Sequence, residues 1–341
     1  MKKIFLQGLK FGLIINLASI IFAIIYIFVI ESTLSKPLPK FGLSLKLGTV
    51  ADSRRIFAQD VPSMKQRDYW SKIQNNFDFF VLEYQLRSDF FQASPRLLKW
   101  CRSQKCFAHR IAYTDIRKKQ FTYFTLDDWW ANNKYLAVKD TANDELRLTQ
   151  FLKNLPDGSL IVISEPFSIF RERQLLAKFL EWALALRSQH PKLKFEIGLQ
   201  VHLQWIDAWW MRYRWLLPEL QRFTKVHSYS WGVSEFSNYE QVWKRRISHR
   251  SHVDRLFYQI EGLVPQRLRR AILLHQIYQI HHDAIHYGAV RFVEWGNVQT
   301  TAWFVNEIDS DYHSNYELFD SSGAPTALWW AAMRGLKDGQ N

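Results

Sequence analysis

A chain of 341 residues in which 48% are hydrophobic and 23% are charged has the composition of a globular protein, which excludes wholesale disorder. Its two cysteines exclude a scaffold built on disulfides and any zinc module with several cysteine ligands. The formal net charge of +13 favours anionic surfaces, and the aromatic content of 16% favours stacking on sugars, bases or lipid headgroups without choosing among them.

The N-terminal segment predicts a membrane anchor. The run from Phe11 to Ile30 carries no charge, and at about 1.5 Å per residue a helix of this length crosses the roughly 30 Å of bilayer hydrocarbon. Lys2, Lys3 and Lys10 precede the run, which by the positive-inside rule keeps the N-terminus in the cytoplasm. A cleaved signal peptide is the alternative, but no A-x-A site follows the run, so an uncleaved signal anchor is predicted.

We therefore divide the chain into a cytoplasmic N-terminus (1–10), a transmembrane signal anchor (11–30), a tether (31–40) and one extracytoplasmic domain (41–341). In that domain, short apolar runs typical of strands alternate with helical periodicities, which predicts parallel βαβ units in an α/β fold. The dinucleotide and phosphate-loop motifs G-x-G-x-x-G and G-x-x-x-x-G-K-[ST] are missing from the sequence, which favours a barrel over a nucleotide-binding doubly wound sheet. No cofactor and no metal site are predicted.

Reactive side chains stand where several of the apolar runs end. They are Glu83, His109, Glu165, His202, Glu235 and Trp295. In a (β/α)8 barrel the carboxyl ends of the strands form the active-site face, so these groups are expected to meet there. Two carboxylates in a cleft rich in Trp and Tyr are typical of a glycosidase active site, which needs one protonated and one ionised carboxyl group.

The motifs, taken in order over 41–336, resemble those of the family 10 glycoside hydrolases, best known as endo-β-1,4-xylanases. The segment VISEP is similar to the fourth-strand Asn-Glu motif of the family, with Ser164 in place of the Asn. The pair Ser234-Glu235 resembles the seventh-strand Thr-Glu. The resemblance implies a retaining, endo-β-1,4-glycanase-like O-glycosyl hydrolase in which Glu165 is the acid/base, Glu235 is the nucleophile, and their carboxyl groups lie about 5–5.5 Å apart.

Further segments resemble other strands of the family: NFDFFVLEYQLR the second, CFAHRIAYT the third, IGLQVHL the Gly-x-Gln-x-His strand, and WGNVQTTAW the eighth. The resemblance implies that the substrate-binding residues are Glu83, Tyr84, Arg87, His109, Tyr113, Ser164, Gln200, His202, Trp295 and Trp303. Several sugar-facing positions depart from the family pattern, with Tyr84 at a habitual Asn and Arg87 at a habitual Lys. A non-catalytic glycan-binding or scaffolding descendant is therefore the alternative to an enzyme.

The expected partners are a polysaccharide or cell-envelope glycan and, through the N-terminal helix, the membrane. The basic runs 244–252 and 267–270 are interpreted as solvated surface or as contacts with anionic lipids and acidic glycans, because no nucleic-acid-binding motif accompanies them. The oligomeric state is left open.

The expected fold is a (β/α)8 TIM-barrel-like domain preceded by one transmembrane helix. Seven strong strands are counted, and too few residues separate Glu165 from Gln200 for the two βαβ steps that the family fits there. Either the barrel is abbreviated by one βα unit, or a weak strand lies within 121–138 or 256–264.

One aromatic cluster and one histidine cluster could each belong to a binding site or to the structure. Trp129 and Trp130 follow the third strand on the cleft side and are predicted to form an aromatic platform with their preceding aspartates. A histidine cluster on one helical run is predicted to be a solvated helix face and not a metal site, because the H-E-x-x-H pattern is missing. Its members are His275, His281, His282 and His286.

Overall fold

The computed structural model describes the backbone of residues 2–51, 74–82, 106–108, 123–127, 129–130, 141–166, 170, 172–203, 215–238, 264–294, 318–320 and 322–341. Within these ranges the side chains of 2–17, 50–51, 74, 82, 106–108, 123, 127, 141–144, 202–203 and 237–238 are not described.

Eight parallel strands form a closed barrel in which each strand pairs with its neighbours in sequence order and the last strand pairs with the first. The strands are β1 (Lys46–Ala51), β2 (Phe79–Leu82), β3 (Cys106–Ala108), β4 (Tyr123–Asp127), β5 (Leu160–Pro166), β6 (Lys194–Leu203), β7 (Ser230–Asn238) and β8 (Arg291–Glu294). This confirms the predicted TIM-barrel-like fold.

The described helices lie on the outside of the barrel, and α2 to α5 connect successive strands from β4 to β8. They are α1 (Lys2–Leu34), α2 (Thr141–Lys153), α3 (Arg173–Gln189), α4 (Leu216–His227), α5 (Gln266–His286) and α6 (Ala327–Gly339). Local signals mark two of their ends. The Thr326 hydroxyl accepts a hydrogen bond from the Leu328 N–H and caps α6, and Ser228 ends α4 in the left-handed region with φ 50°.

Of the two alternatives left open by the strand count, the structure shows the overlooked weak strand and not the barrel abbreviated by one βα unit. The weak strand lies within 121–138, where β4 pairs along its whole length with β5 and at Ala108↔Phe124 with β3. This added strand moves Glu165 to the fifth strand, whereas the family resemblance implied the fourth. The residue that ends the fourth strand is Asp127.

The barrel interior is narrow at Gly198 of β6. A Cβ atom on Gly198 would lie 2.6 Å from Val162 Cγ1 and 2.8 Å from Ser234 Cβ, so only glycine fits there. The neighbouring residues Ile197 and Leu199 point the other way and belong to the apolar cluster between strands and helices. Alternation along β6 therefore separates an interior face from a helix-facing core.

The two tryptophans predicted as an aromatic platform are part of that helix-facing core. Trp129 is 5% exposed and stacks on Trp182 of α3 with ring centroids 5.1 Å apart. Trp130 is 4% exposed and packs edge-on against Phe179 of the same helix. The prediction of an exposed sugar platform at these two positions is wrong, because α3 supplies aromatic partners that remove both rings from solvent.

The C-terminal part of α1 packs on the barrel domain. The Tyr26 hydroxyl hydrogen-bonds His275 Nδ1 at 2.8 Å, and Arg267 pairs with Glu31 at 2.7 Å. The side chain of Leu34 is buried in the apolar core, so the stretch predicted as a tether begins as packed helix. In the part of the chain that the structure describes, no helix has the length and apolarity needed to span a bilayer.

Candidate functional site

Glu235 lies at the carboxyl-terminal half of β7 and faces the barrel interior. The register between β6 and β7 shifts there, so that Leu199 pairs with Val233 but Gln200 pairs with Glu235. Ser234 is the extra residue of this bulge, and bulges re-aim side chains next to functional sites. Because paired residues share a face of the sheet, Glu235 lies on the same side as Gln200, with 6% of its surface exposed.

Glu165 lies near the end of β5 and has no exposed surface. Its Oε1 accepts a hydrogen bond of 2.7 Å from the backbone N–H of Trp130. In the β5–β6 ladder Glu165 pairs with Leu199, which belongs to the helix-facing core. The Glu165 side chain therefore starts on the outer face of the sheet, next to the aromatic cluster of α3.

The two glutamates stand two strands apart on opposite faces. With strands spaced about 4.8 Å, β5 and β7 are separated by roughly 10 Å across β6. A retaining pair needs carboxyl groups about 5–5.5 Å apart on one side of the cleft. By the strand register Glu235 starts on the interior face and Glu165 on the outer face, and the predicted separation of their carboxyl groups stays a prediction.

A hydroxyl and amide cluster fills the interior beside Glu235. The hydroxyl oxygens of Ser164 and Ser234 lie 2.8 Å apart, and both residues are buried. Gln200 Nε2 donates to Ser164 Oγ at 3.3 Å and to the Ser164 carbonyl oxygen at 3.4 Å. The structure thus brings three of the predicted site residues, Ser164, Gln200 and Glu235, to adjacent positions on β5, β6 and β7.

Of the other predicted substrate-binding residues, one lies in the part of the chain that the structure describes. His202 lies on β6 opposite Ser237, but only its backbone is described. The remaining ones fall outside the described residues: Glu83, Tyr84, Arg87, His109, Tyr113, Trp295 and Trp303.

A buried charged group deeper in the barrel escaped the sequence analysis. Glu196 is 1% exposed and its carboxylate pairs with Arg291 at 3.1 Å, while Ser230 Oγ donates to it at 3.3 Å. Burial raises the pKa of Glu196 to about 7, against the opposing effects of the Arg291 charge and the Ser230 hydrogen bond. The signal in the sequence was that Glu196 is a charged residue within an otherwise apolar strand run. Its partner, Arg291, lies on β8.

A second buried pair of side chains joins α5 to the outer face of β8. His281 and Glu294 have no more than 1% of their side chains exposed, and His281 Nε2 lies 2.7 Å from Glu294 Oε1. His281 Nδ1 donates to the Ile277 carbonyl oxygen at 2.7 Å. The expectation of a solvated histidine face is therefore wrong for His281. Among the described residues, no group of three His, Cys, Asp or Glu is placed to hold a metal ion.

Comparison with solved structures finds several proteins that share the fold of this chain. Native xylanase 10B from Thermotoga maritima superposes with a TM-score of 0.57 and 11% identity, covering 86% of this chain and 95% of that one. The chain has a family 10 xylanase-like fold. Xylanase 10B from Thermotoga petrophila RKU-1 in complex with xylobiose gives a TM-score of 0.55 at 11% identity, covering 90% of this chain and 100% of that one.

A mutant of xylanase A from P. fluorescens subsp. cellulosa in complex with xylopentaose gives a TM-score of 0.54 and 10% identity, with 89% of this chain and 99% of that one covered. No family model matches the sequence, and no curated protein matches it. At such low identity the likeness shows the fold alone, and the site residues have to be argued from their own geometry.

Proposed function

We propose that this protein is a glycoside hydrolase that acts on a β-linked polysaccharide, held at a membrane by α1, with Glu235 as its nucleophile and Glu165 as its acid/base. The observation that carries the proposal is the position of Glu235. It lies at the carboxyl-terminal half of the seventh strand of a closed barrel, faces the interior, and stands beside the amide of Gln200. The fold neighbours include xylanases bound to xylobiose and xylopentaose, which supports a β-linked glycan as substrate.

In this mechanism Glu235 attacks the anomeric carbon while Glu165 protonates the departing glycosidic oxygen. Glu165 then removes a proton from the water that releases the product, with retention of configuration. To reach the glycosidic oxygen, the Glu165 carboxylate has to exchange its hydrogen bond with the Trp130 N–H for one to the substrate. The proposal therefore includes a movement of this side chain from the outer face to the cleft.

A non-catalytic glycan-binding protein is the second candidate, and the burial of Glu165 favours it. A carboxylate with no exposed surface and a backbone N–H donor is a stable structural group. Ser164, which stands at the position of the Asn in the resembling motif, is also engaged by Ser234 and Gln200 inside the barrel. This candidate predicts glycan binding without turnover.

Release of reducing sugar from β-linked xylan and glucan by the full chain in detergent tests the proposal. Glu235→Gln and Glu165→Gln should each abolish release, whereas Glu181→Gln, on the exposed side of α3, should leave it unchanged. Asp127→Asn belongs to the same set because Asp127 ends the fourth strand. Loss of activity in Asp127→Asn but not in Glu165→Gln would transfer the acid role to Asp127. Glycan binding without release by the unmodified chain would favour the second candidate.

A further inference from the structure

A pocket of about 640 Å³ opens at the end of the barrel where the strands begin, a volume typical of small-molecule sites. Its lining includes the first residue of each of four consecutive strands, Leu160, Lys194, Ser230 and Arg291, together with Arg187 near the end of α3. The substrate cleft of a (β/α)8 enzyme lies at the opposite end, where the strands finish. The proposed glycosidase reaction therefore leaves this pocket without a role.

Three cationic side chains line the pocket, and the strand register explains why two of them start on its inner side. Lys194 is two residues before Glu196 on β6, so both side chains start on the same face of the sheet. Arg291 of β8 reaches the Glu196 carboxylate, which places its guanidinium on that interior face as well. Arg187 faces the pocket from α3. Positive charge therefore converges from three elements.

The charge of the pocket is balanced only in part by the carboxylates around it. Glu196 pairs with Arg291 at 3.1 Å and is itself 1% exposed. The nearby Asp157 pairs with Lys192, outside the pocket lining. Among the described residues, no carboxylate lies within ion-pair distance of Arg187 or Lys194. Three cations and one ionised carboxylate leave a net charge of +2, which suits a dianion better than a monoanion.

Arg187 is held in place by the protein. Its Nη1 donates to the carbonyl oxygens of His227 at 2.8 Å and Ser228 at 3.4 Å, and its guanidinium carbon lies 4.6 Å from the Tyr229 ring centroid. Tyr229 is fixed in turn, because its hydroxyl donates to the Ala183 carbonyl oxygen at 3.1 Å. In the described part of the chain, no group accepts a hydrogen bond from Arg187 Nε or Nη2. A fixed guanidinium thus keeps donors for an oxyanion.

We propose that this pocket binds a small soluble phosphate monoester, with its phosphate group between Arg187, Lys194 and Arg291. A phosphate monoester carries a charge of about −1.5 to −2 at pH 7, which matches the net charge of the pocket, whereas a carboxylate carries only one negative charge. The remainder of the ligand lies against Leu160 and Leu193, the apolar part of the lining. The site stands at the other end of the barrel from the proposed active site and is independent of it.

Titration calorimetry of the full chain in detergent tests the site, with glucose 6-phosphate as the probe and glucose as its uncharged counterpart. At pH 8 the phosphate group is a dianion, so we expect saturable binding of glucose 6-phosphate at one site per chain. Glucose should bind at least tenfold more weakly, and inorganic phosphate should compete with the probe. No binding of glucose 6-phosphate, or equal binding of the two sugars, would overturn the proposal.

Single charge changes test which residues hold the phosphate. Arg187→Gln and Lys194→Gln should each weaken binding by about tenfold, the effect of one lost charge-assisted hydrogen bond. Lys178→Gln removes an exposed charge of α3 outside the lining and should leave binding unchanged. Arg187 also holds the end of α4, so Lys194→Gln, whose lysine side chain makes no such contact in the described part, decides if Arg187→Gln unfolds. Unaltered binding in Lys194→Gln, or an equal loss in Lys178→Gln, would overturn the assignment.

Glu196→Gln provides a variant that should bind more tightly. Burial raises the pKa of Glu196 to about 7, so at pH 8 its carboxylate is ionised and competes with the phosphate for Arg291. The amide removes this negative charge and keeps an acceptor for Arg291, so binding of glucose 6-phosphate should strengthen several-fold. Weaker binding in Glu196→Gln would overturn the role of Arg291 as a phosphate ligand.

Two further arms locate the site and the source of the phosphate. Glu235→Gln changes the proposed active site at the other end of the barrel and should leave the affinity for glucose 6-phosphate unchanged. Loss of binding in this variant would place the ligand in the cleft and overturn the pocket, whatever the glycosidase assay shows. A short-chain phosphatidylglycerol carries its phosphate as a diester. Stronger binding of that lipid than of glucose 6-phosphate would assign the site to a lipid headgroup and overturn a soluble ligand.

Discussion

Ser164 on β5 and Ser234 on β7 join their hydroxyl groups across the interior of the barrel at 2.8 Å. The bond passes over Gly198 of β6, whose missing side chain leaves the space for it. The two hydroxyls immediately precede Glu165 and Glu235 along the chain. This bond therefore ties together the two strands that carry the proposed catalytic carboxylates.

Removing one of the two hydroxyl groups should destabilise the fold. Removing the second one as well should add less than its removal costs on its own. Ser164→Ala and Ser234→Ala each remove this hydrogen bond from the remaining buried hydroxyl, at a cost of about 1–3 kcal/mol in the free energy of unfolding. In the double variant the second substitution should cost less, giving a coupling energy of about 1 kcal/mol. Urea denaturation of the four chains measures it, and strictly additive losses would contradict the bond.

Gly198 is expected to be intolerant of any side chain. Gly198→Ala places a Cβ atom against Val162 and Ser234 and should lower the free energy of unfolding by about 1–3 kcal/mol. Gly42→Ala is the matched control because no atom lies within 4 Å of its added Cβ, so it should change stability by less than about 0.5 kcal/mol. Similar thermal stability in both variants would argue against the close approach of β5, β6 and β7.

The Glu196–Arg291 pair predicts a pH dependence of stability. Burial raises the pKa of Glu196 to about 7, above its value in the unfolded chain. A raised pKa means that the folded state holds the proton more tightly, so its contribution is fully present below the unfolded pKa and is lost as the pH rises through about 7. The loss is on the order of 3 kcal/mol.

Denaturation of Glu196→Gln at pH 5 and pH 8 checks this contribution. The variant carries a neutral amide at all pH values, so its stability should change less between the two pH values than that of the unmodified chain. Asp157→Asn removes a carboxylate from an exposed ion pair with Lys192. This variant is the control, and its stability should keep the pH dependence of the unmodified chain. Parallel curves for the unmodified chain and Glu196→Gln would refute the raised pKa.

His281 Nε2 and Glu294 Oε1 lie 2.7 Å apart in a site without solvent. Because Nδ1 donates to the Ile277 carbonyl oxygen, Nε2 is the ring nitrogen that meets the carboxyl group of Glu294. His281→Ala removes the imidazole partner of a buried carboxyl group and should cost about 3–5 kcal/mol. Glu294→Gln should cost less, since its amide can donate to a neutral imidazole. A larger loss in Glu294→Gln than in His281→Ala would be inconsistent with this pairing.

Sequence patterns predicted the barrel but not its full strand count. Among the described side chains of β4, two are buried and apolar, Phe124 and Leu126, and this strand is short, so its run was too weak to stand out. Its pairing with β5 is a contact between segments that a local pattern does not contain. Missing this strand placed Glu165 on the fourth position of the barrel instead of the fifth.

Within the site, sequence reasoning brought Ser164, Gln200 and Glu235 to neighbouring strands, because residues at corresponding strand ends meet in a parallel barrel. The face on which each side chain lies depended on the register. The bulge at Ser234 turns Glu235 inward, while unbroken alternation turns Glu165 outward. The partners of Glu196 and His281 could not be predicted from local sequence patterns either, because each partner lies on a different element of the fold.

The nucleophile role of Glu235 is the central claim, and covalent trapping tests it most directly. A 2-fluoro-xylobioside with a good leaving group, incubated with the full chain, should esterify Glu235, and peptide mass spectrometry should find one added disaccharide on the peptide that contains it. Glu235→Gln should remain unlabelled. Retention of the glycan by an unlabelled chain, or a label on another carboxylate, would contradict the account.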